Sequence, residues 1–269
     1  RDERKARILR EIFKKLQSLG VDNNCFFIRV SPLLVYDEIY DKVYLEFSGK
    51  ESPIQPQDAL ISQYIDTTKE LEVLHREMNK SSRSNVNKLL KDEDVSVKIL
   101  KDSSVFDIFK DFYNQTKEAK GYHGKSADRL LVEFEKYIQK NMLYFLIAYT
   151  KGEPVTVWQT IRFGKYMHLY QAGSNLKYKE KNVRLLFWKT VELCRNIGVE
   201  TFDLFGGMLP EGSDDKRNPW KGVNDFKMSL GGNKVTYMHP QDIPLKQYYS
   251  LYLPYARLRV EHKGHTVDW

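Results

Sequence analysis

MLYFLIAYTKGEPVTVWQTIRFGKYMHLYQA, residues 142–172, is the stretch on which the fold turns. Three strand-sized runs, 142–149, 154–163 and 166–172, are joined by the turn signals Lys151-Gly152 and Phe163-Gly164. Glycine enters the left-handed conformations that tight turns need, so the runs read as a three-stranded antiparallel meander. Upstream, residues 104–120 carry Val105, Phe106, Ile108, Phe109 and Phe112 on one helical side, and Ser126 caps a further helix to 139. Between them Gly121-Tyr122-His123-Gly124 is a break. Downstream come a helix over 182–196, a short strand over 201–204 and a polar loop over 206–222. A short helix over 224–230, a Gly231-Gly232-Asn233 turn and a strand over 235–238 follow. Mixed elements in this order make an α+β protein.

The flanks extend the pattern. Ile8, Leu9, Ile12, Phe13, Leu16 and Leu19 recur at helical spacing over 2–19, and Gly20 is expected to end that helix. Residues 25–30 read as a largely buried strand, 48–57 as a loop and 60–65 as a short strand. Two amphipathic helices, 67–80 and 82–91, precede a strand over 95–100. A terminal helix over 245–261 is expected to kink or break at Pro254.

At 41% hydrophobic and 29% charged residues the chain can bury a substantial core, which excludes disorder as its general state. Its longest apolar run, 142–149, is too short to span a bilayer, where about 20 residues are needed. The charged segment 1–10 is not a signal peptide. Cys25 and Cys194 sit among apolar neighbours and read as two reduced, buried thiols, which suits a cytoplasmic protein. They make no zinc site. The formal net charge of +7 favours a polyanionic partner.

Chemistry-bearing motifs are sparse. There is no Gly-x-Ser-x-Gly elbow, and His123, His168 and His239 are scattered and read as structural. Lys227 stands out because it follows an aromatic residue near a short helix and precedes Gly231-Gly232, which permits close backbone approach. Lys177, Lys179, Lys181 and Arg184 cluster before a helix start, where a diphosphate would find cations and free amides. Lys80, Arg83, Lys88 and Lys91 form a second basic stretch, which reads equally well as a phosphate contact or a plain helix face.

Several segments, in order over residues 25–240, resemble the Fem family (FemABX) of peptidoglycan aminoacyltransferases. They are Ile54-Gln55-Pro56 with the following strand, the helix start from Met78 to Val86, and Glu118-Ala119-Lys120-Gly121-Tyr122. Leu169-Tyr170-Gln171-Ala172-Gly173-Ser174, Phe202-Asp203-Leu204-Phe205-Gly206-Gly207 and the run from Gly222 to Gly232 complete the series. The element order of the second half is likewise that of a GNAT acyltransferase domain. The resemblance implies two GNAT-like domains, over 1–101 and 102–243, with a C-terminal helix and tail over 244–269 returning to the first. The first domain is incomplete at its N-terminus against the family's pattern, and no long coiled-coil arm interrupts the second. Where the family often has an Asp-Leu pair this chain has Gln63-Tyr64, with Asp66 nearby.

The implied activity moves an amino acid from aminoacyl-tRNA, a co-substrate, to the stem peptide of a nucleotide-linked or lipid-linked muropeptide precursor. No cofactor and no metal are implied, and contact with the inner membrane surface would be peripheral. The Phe226 backbone and Lys227 side chain are implied to face the acyl group, the lysine beside the carbonyl oxygen on which charge builds. Tyr170, Ser174, Tyr178, Lys181, Asn182 and Arg184 are the expected acceptor-binding residues, with Lys80, Arg83 and Lys88 against tRNA or phosphate. Two alternatives stand beside this reading: an N-acetyltransferase using acetyl-CoA, and a non-catalytic RNA-binding module. Against the first, residues 177–182 contain none of the glycines of a pyrophosphate-cradling turn.

Overall fold

The computed structural model describes residues 2–52, 60–120, 125–178, 181–206 and 221–263. The segment Ile54-Gln55-Pro56, the break Gly121-Tyr122-His123-Gly124, Lys179 and most of the 206–222 loop lie outside them. Among the described residues the chain runs α1 (Asp2–Asp22), β1 (Phe27–Val30), α2 (Glu38–Glu46), β2 (Lys50–Glu51), β3 (Ile61–Asp66), α3 (Leu71–Glu77), α4 (Lys80–Leu90) and β4 (Val95–Leu100). A 3-10 turn, Ser103–Val105, leads into α5 (Phe106–Lys120), α6 (Ala127–Gln139), β5 (Leu143–Thr150), β6 (Glu153–Phe163) and β7 (Tyr166–Ser174). Then follow α7 (Val183–Asn196), β8 (Thr201–Asp203), α8 (Lys221–Met228), β9 (Asn233–Thr236), β10 (Gln241–Pro244) and α9 (Tyr249–Lys263).

The chain divides into two compact units, residues 1–62 with 235–269, and residues 63–234. This differs from the boundary expected at 101/102. The reason is β4, which is hydrogen-bonded antiparallel to β5 from Val95↔Thr150 to Leu100↔Phe145 and so belongs with the second half.

In the first unit β1, β10 and β2 form a three-stranded sheet in the order β1-β10-β2. Leu9, Phe13, Val43, Tyr44, Met238 and Ile243 make its core with α1 and α2. The helix α1 does not stop at Gly20 but runs on to Asp22. Gly20 serves packing instead: a Cβ there would lie 2.5 Å from Leu245 Cδ1 and 3.0 Å from Ile28 Cδ1. Likewise α9 continues through Pro254.

The second unit holds most of a seven-stranded sheet ordered β4-β5-β6-β7-β8-β3-β9. The expected meander is present, β5 to β6 and β6 to β7 both antiparallel. Its strand β5 reads as a nearly continuous apolar run because both faces are covered. Phe145, Ile147, Val157 and Ile161 pack on one face with Phe109, Phe112, Leu130 and Phe134 of α5 and α6. Tyr144, Leu146, Trp158 and Met167 pack on the other with Val86 of α4 and Leu186, Phe187 and Val191 of α7. Ser126 caps α6 as expected, its hydroxyl accepting from the Arg129 amide. The span expected as one helix over 67–80 is a turn followed by α3, which Met78 and Asn79 separate from α4. Both cysteines are free; Cys194 is buried and Cys25 half-buried. Burial pushes the Cys194 thiol up to about 12, so it is inert.

Candidate active site

β7 and β8 pair in parallel, in the register Tyr166↔Thr201, Met167↔Phe202 and His168↔Asp203. Beyond that last pair β8 ends, while β7 continues to Ser174. The carboxyl ends of parallel strands that part in this way are where α/β folds place ligands. Two further features fall at the same point. Tyr170 is the extra residue of a β-bulge, since Gln159 pairs Gln171 and Thr160 pairs Leu169. Such bulges re-aim side chains beside active sites. On the β8 side the chain turns through Phe205 at φ 44° and Gly206 at φ 73°, both in the left-handed region.

That turn is closed by Lys227. Its side chain is only 6% exposed. Nζ donates to Leu204 O at 2.6 Å, to Phe205 O at 2.9 Å and to Gly206 O. An ammonium has three N–H donors, and all three are engaged. Burial pushes the Lys227 pKa down to about 8, against the pull of the Asp203 carboxylate. The three carbonyl acceptors also favour the charged form, so Lys227 is an ammonium at neutral pH. It is buried, and its role in the structure is to hold the 204–206 turn.

Asp203 is fully buried. Its Oδ1 accepts the Phe205 amide at 2.8 Å and its Oδ2 accepts the Tyr166 hydroxyl. Along β7 the rings of Tyr166, His168 and Tyr170 form a row, with centroids 6.1 and 5.8 Å apart. The His168 ring also lies 5.2 Å from that of Phe205. Burial lowers the His168 pKa below its ordinary value, and Asp203 opposes this only in part. Tyr170 is fixed by charge: its hydroxyl accepts from Lys125 Nζ at 2.7 Å and donates to Glu133 Oε2 at 3.0 Å. Burial raises the Tyr170 pKa, with the Lys125 ammonium pulling the other way. Across the bulge, Gln159 is buried and finds no partner for either amide atom among the described residues.

The expected acceptor-binding residues do not gather in one place. Arg184 stacks its guanidinium 5.6 Å from the Phe226 ring and donates to Ser82 Oγ at 2.9 Å. Ser82 donates to Ser229 Oγ at 2.9 Å, and Ser229 donates to Phe226 O at 2.6 Å. This polar chain ties α4, α7 and α8 together around Phe226. Lys181 donates to the Asn175 carbonyl, and burial lowers its pKa. Asn182 turns its amide to Thr150 Oγ1 at 2.9 Å, from a left-handed backbone at φ 50°. Ser174 lies beside Thr156 Oγ1, at 3.1 Å. Tyr178 packs on the core that contains α7. The expected diphosphate cradle is therefore internally satisfied at Lys181 and Arg184, while Lys177 stays exposed. In the other basic stretch Arg83 caps α3, donating to Arg76 O at 3.0 Å and to Met78 O. Lys80 and Lys88 face solvent. No cluster of His, Cys, Asp and Glu among the described residues suits a metal ion.

The sequence reading missed His168, Tyr166, Asp203, Lys125 and Glu133. A signal for the first two was present: in Tyr166-Met167-His168-Leu169-Tyr170 polar rings alternate with apolar residues at strand period, which puts the rings on one face.

The comparisons place the fold. Residues 76–222 match the model of the acetyltransferase (GNAT) domain, which is more than half of the chain. The chain belongs to the GNAT family. As a GNAT protein it is an acyltransferase by fold and family. It is similar to the crystal structure of FemX, with a TM-score of 0.80 at 11% identity, over 92% of this chain and 79% of FemX. It is also similar to the C-terminal domain of a protein from Agrobacterium fabrum provisionally named a lysylphosphatidylglycerol synthetase. There the TM-score is 0.61 at 12% identity, over 93% of this chain and 78% of that one. A tandem GNAT protein from the clavulanic acid biosynthesis pathway follows at TM-score 0.50 and 9% identity, over 87% and 69%. At these identities the likeness is one of fold, which is GNAT-like and FemX-like. No curated protein sequence matches the chain.

Proposed function

We propose that this GNAT protein is an aminoacyltransferase. It moves an amino acid from aminoacyl-tRNA to the amine of a peptidoglycan stem peptide, carried on a nucleotide-linked or lipid-linked precursor. The observation that carries the reading is the parting of β7 and β8, with a buried ammonium at one side and a row of polar rings at the other. An ester donor is already activated, so the site needs no nucleophilic side chain. It needs stabilisation of the carbonyl oxygen, where one donor contributes about 3 kcal/mol, and a group to take the amine's proton. Lys227 serves the oxygen by exchanging one backbone carbonyl for it. FemX-like fold over most of the chain, the net charge of +7 and the glycine-free segment 177–182 support a tRNA-borne donor. No helix among the described residues is long and apolar enough to cross a membrane.

A second reading, N-acetyl transfer from acetyl-CoA, is favoured by the matched acetyltransferase domain. One experiment separates the two. The protein is incubated with a mixture of charged tRNAs and muropeptide precursor, and in parallel with acetyl-CoA, and the precursor is weighed by mass spectrometry. We expect a gain of one or more aminoacyl masses in the first reaction. An acetyl mass in the second with none in the first would replace the tRNA reading.

A further inference from the structure

We propose that His168 is the proton acceptor for the attacking amine, with Tyr170 as the residue that positions it. The inference rests on the reading of the site as one that acylates an amine. An amine that attacks a carbonyl must shed a proton as the N–C bond forms, and a side chain near neutrality does this best. His168 occupies the last paired position before β7 and β8 separate, so its ring stands at the opening itself. The titratable and charged groups around it are few. Tyr166 and Tyr170 flank it on β7, and Asp203 faces it from β8. Tyr64 on β3 reaches Tyr166 with the rings 5.9 Å apart, and Lys125 and Glu133 act through Tyr170.

Each of these has a place in the argument. Asp203 is held by the Phe205 amide and the Tyr166 hydroxyl, so its carboxyl group is fixed on the strand beside the ring, where it stabilises the imidazolium that forms. Tyr170 is locked between an ammonium and a carboxylate, which fixes its ring edge-on against that of His168. Gln159, opposite the bulge that carries Tyr170, has an amide with no partner among the described residues.

The step balances without any added reactant. The amine nitrogen forms its bond to the acyl carbon and gives one proton to His168. The bond from that carbon to the ribose oxygen breaks with its electron pair on oxygen, and His168 returns the proton there. The imidazole ends as it began. Burial keeps the ring neutral to a lower pH than an ordinary histidine. The ring is therefore free to accept a proton throughout the neutral range, and its own protonation removes activity only below the ordinary histidine value of about 6.5.

The test is His168→Gln, which keeps a hydrogen-bonding side chain and removes the proton acceptor. Turnover at pH 7 should fall about 100-fold, tRNA affinity should be unchanged, and the acidic limb of the kcat/KM profile should vanish. Histidine ring NMR of the wild-type chain gives a second measurement that needs no folded variant. The His168 ring should titrate below about 6.5, and titration above that overturns the proposal. A variant within threefold of wild type, with its acidic limb intact, also overturns it while leaving the aminoacyltransferase reading in place. Wild-type acetyl transfer that His168→Gln abolishes keeps the base and removes the tRNA donor. A wild-type protein inert with both donors removes both.

Discussion

At the scale of single residues, the lysine at position 227 shows how one side chain sets a site's shape before it does any chemistry. Its three N–H donors gather the carbonyls of Leu204, Phe205 and Gly206, which point together because Phe205 and Gly206 adopt left-handed backbone. Lys227→Met keeps the stem and leaves three buried carbonyls without their donor. An unsatisfied buried acceptor costs about 1–3 kcal/mol, and partial relaxation of the turn should hold the total near 3 kcal/mol. Urea unfolding measures this, and a wild-type midpoint would mean that the turn keeps its shape unaided. Lys227 was legible in sequence because the residues that mark it, Phe226 and Gly231-Gly232, are its neighbours in the chain. His168 was not, because its meaning depends on Asp203, which only the β7–β8 pairing brings beside it. A histidine's local sequence says nothing about its partner across a parallel crossover.

Among elements, the meander was readable because its turns carry glycine and its strands are short runs rich in β-branched and aromatic residues, both local signals. Elements whose limits are set by tertiary contact were misread. Gly20 looks like a helix stop, yet it lies inside α1, where the side-chain ends of Leu245 and Ile28 crowd the place of a Cβ. Gly173 is the same device in the second unit. A Cβ there would lie 2.6 Å from Tyr113 N and 2.7 Å from Phe112 C, so the backbone of α5 rests directly on β7. Those contacts are to backbone, which cannot swing aside as a side-chain end can. Gly173→Ala should push α5 off the strand and cost about 1–3 kcal/mol. Because β7 also carries His168 and Tyr170, turnover should fall along with the melting temperature. A variant that melts like wild type would show that α5 shifts freely, contrary to the packing seen.

For the whole molecule, two compact units with separate cores predict separable local stability. Each core is contiguous on its own: α1, α2 and the short sheet in one, the long sheet with its two helical faces in the other. One fastening of the first unit can be cut by a single substitution. Asp242 is fully buried on β10 and accepts both Nε and an Nη of Arg29 at 2.7 Å, with the Tyr249 hydroxyl at 2.9 Å. Through Tyr249 and Tyr252, whose rings meet Phe27, this polar cluster anchors α9 to β1. Arg29→Ala removes the cation and leaves a carboxylate stranded in the core, which typically costs about 3–5 kcal/mol. Replacing both partners, Arg29→Met with Asp242→Leu, leaves no stranded charge and should cost far less than the single change. Amide hydrogen exchange localises the effect. In Arg29→Ala, protection should drop in β1, β10 and α9 well before β5, β6 and β7 lose theirs, since the latter rest on a core that Arg29 does not touch. Equal loss of protection in both units would mean that they unfold as one, and that the division by contact carries no thermodynamic weight.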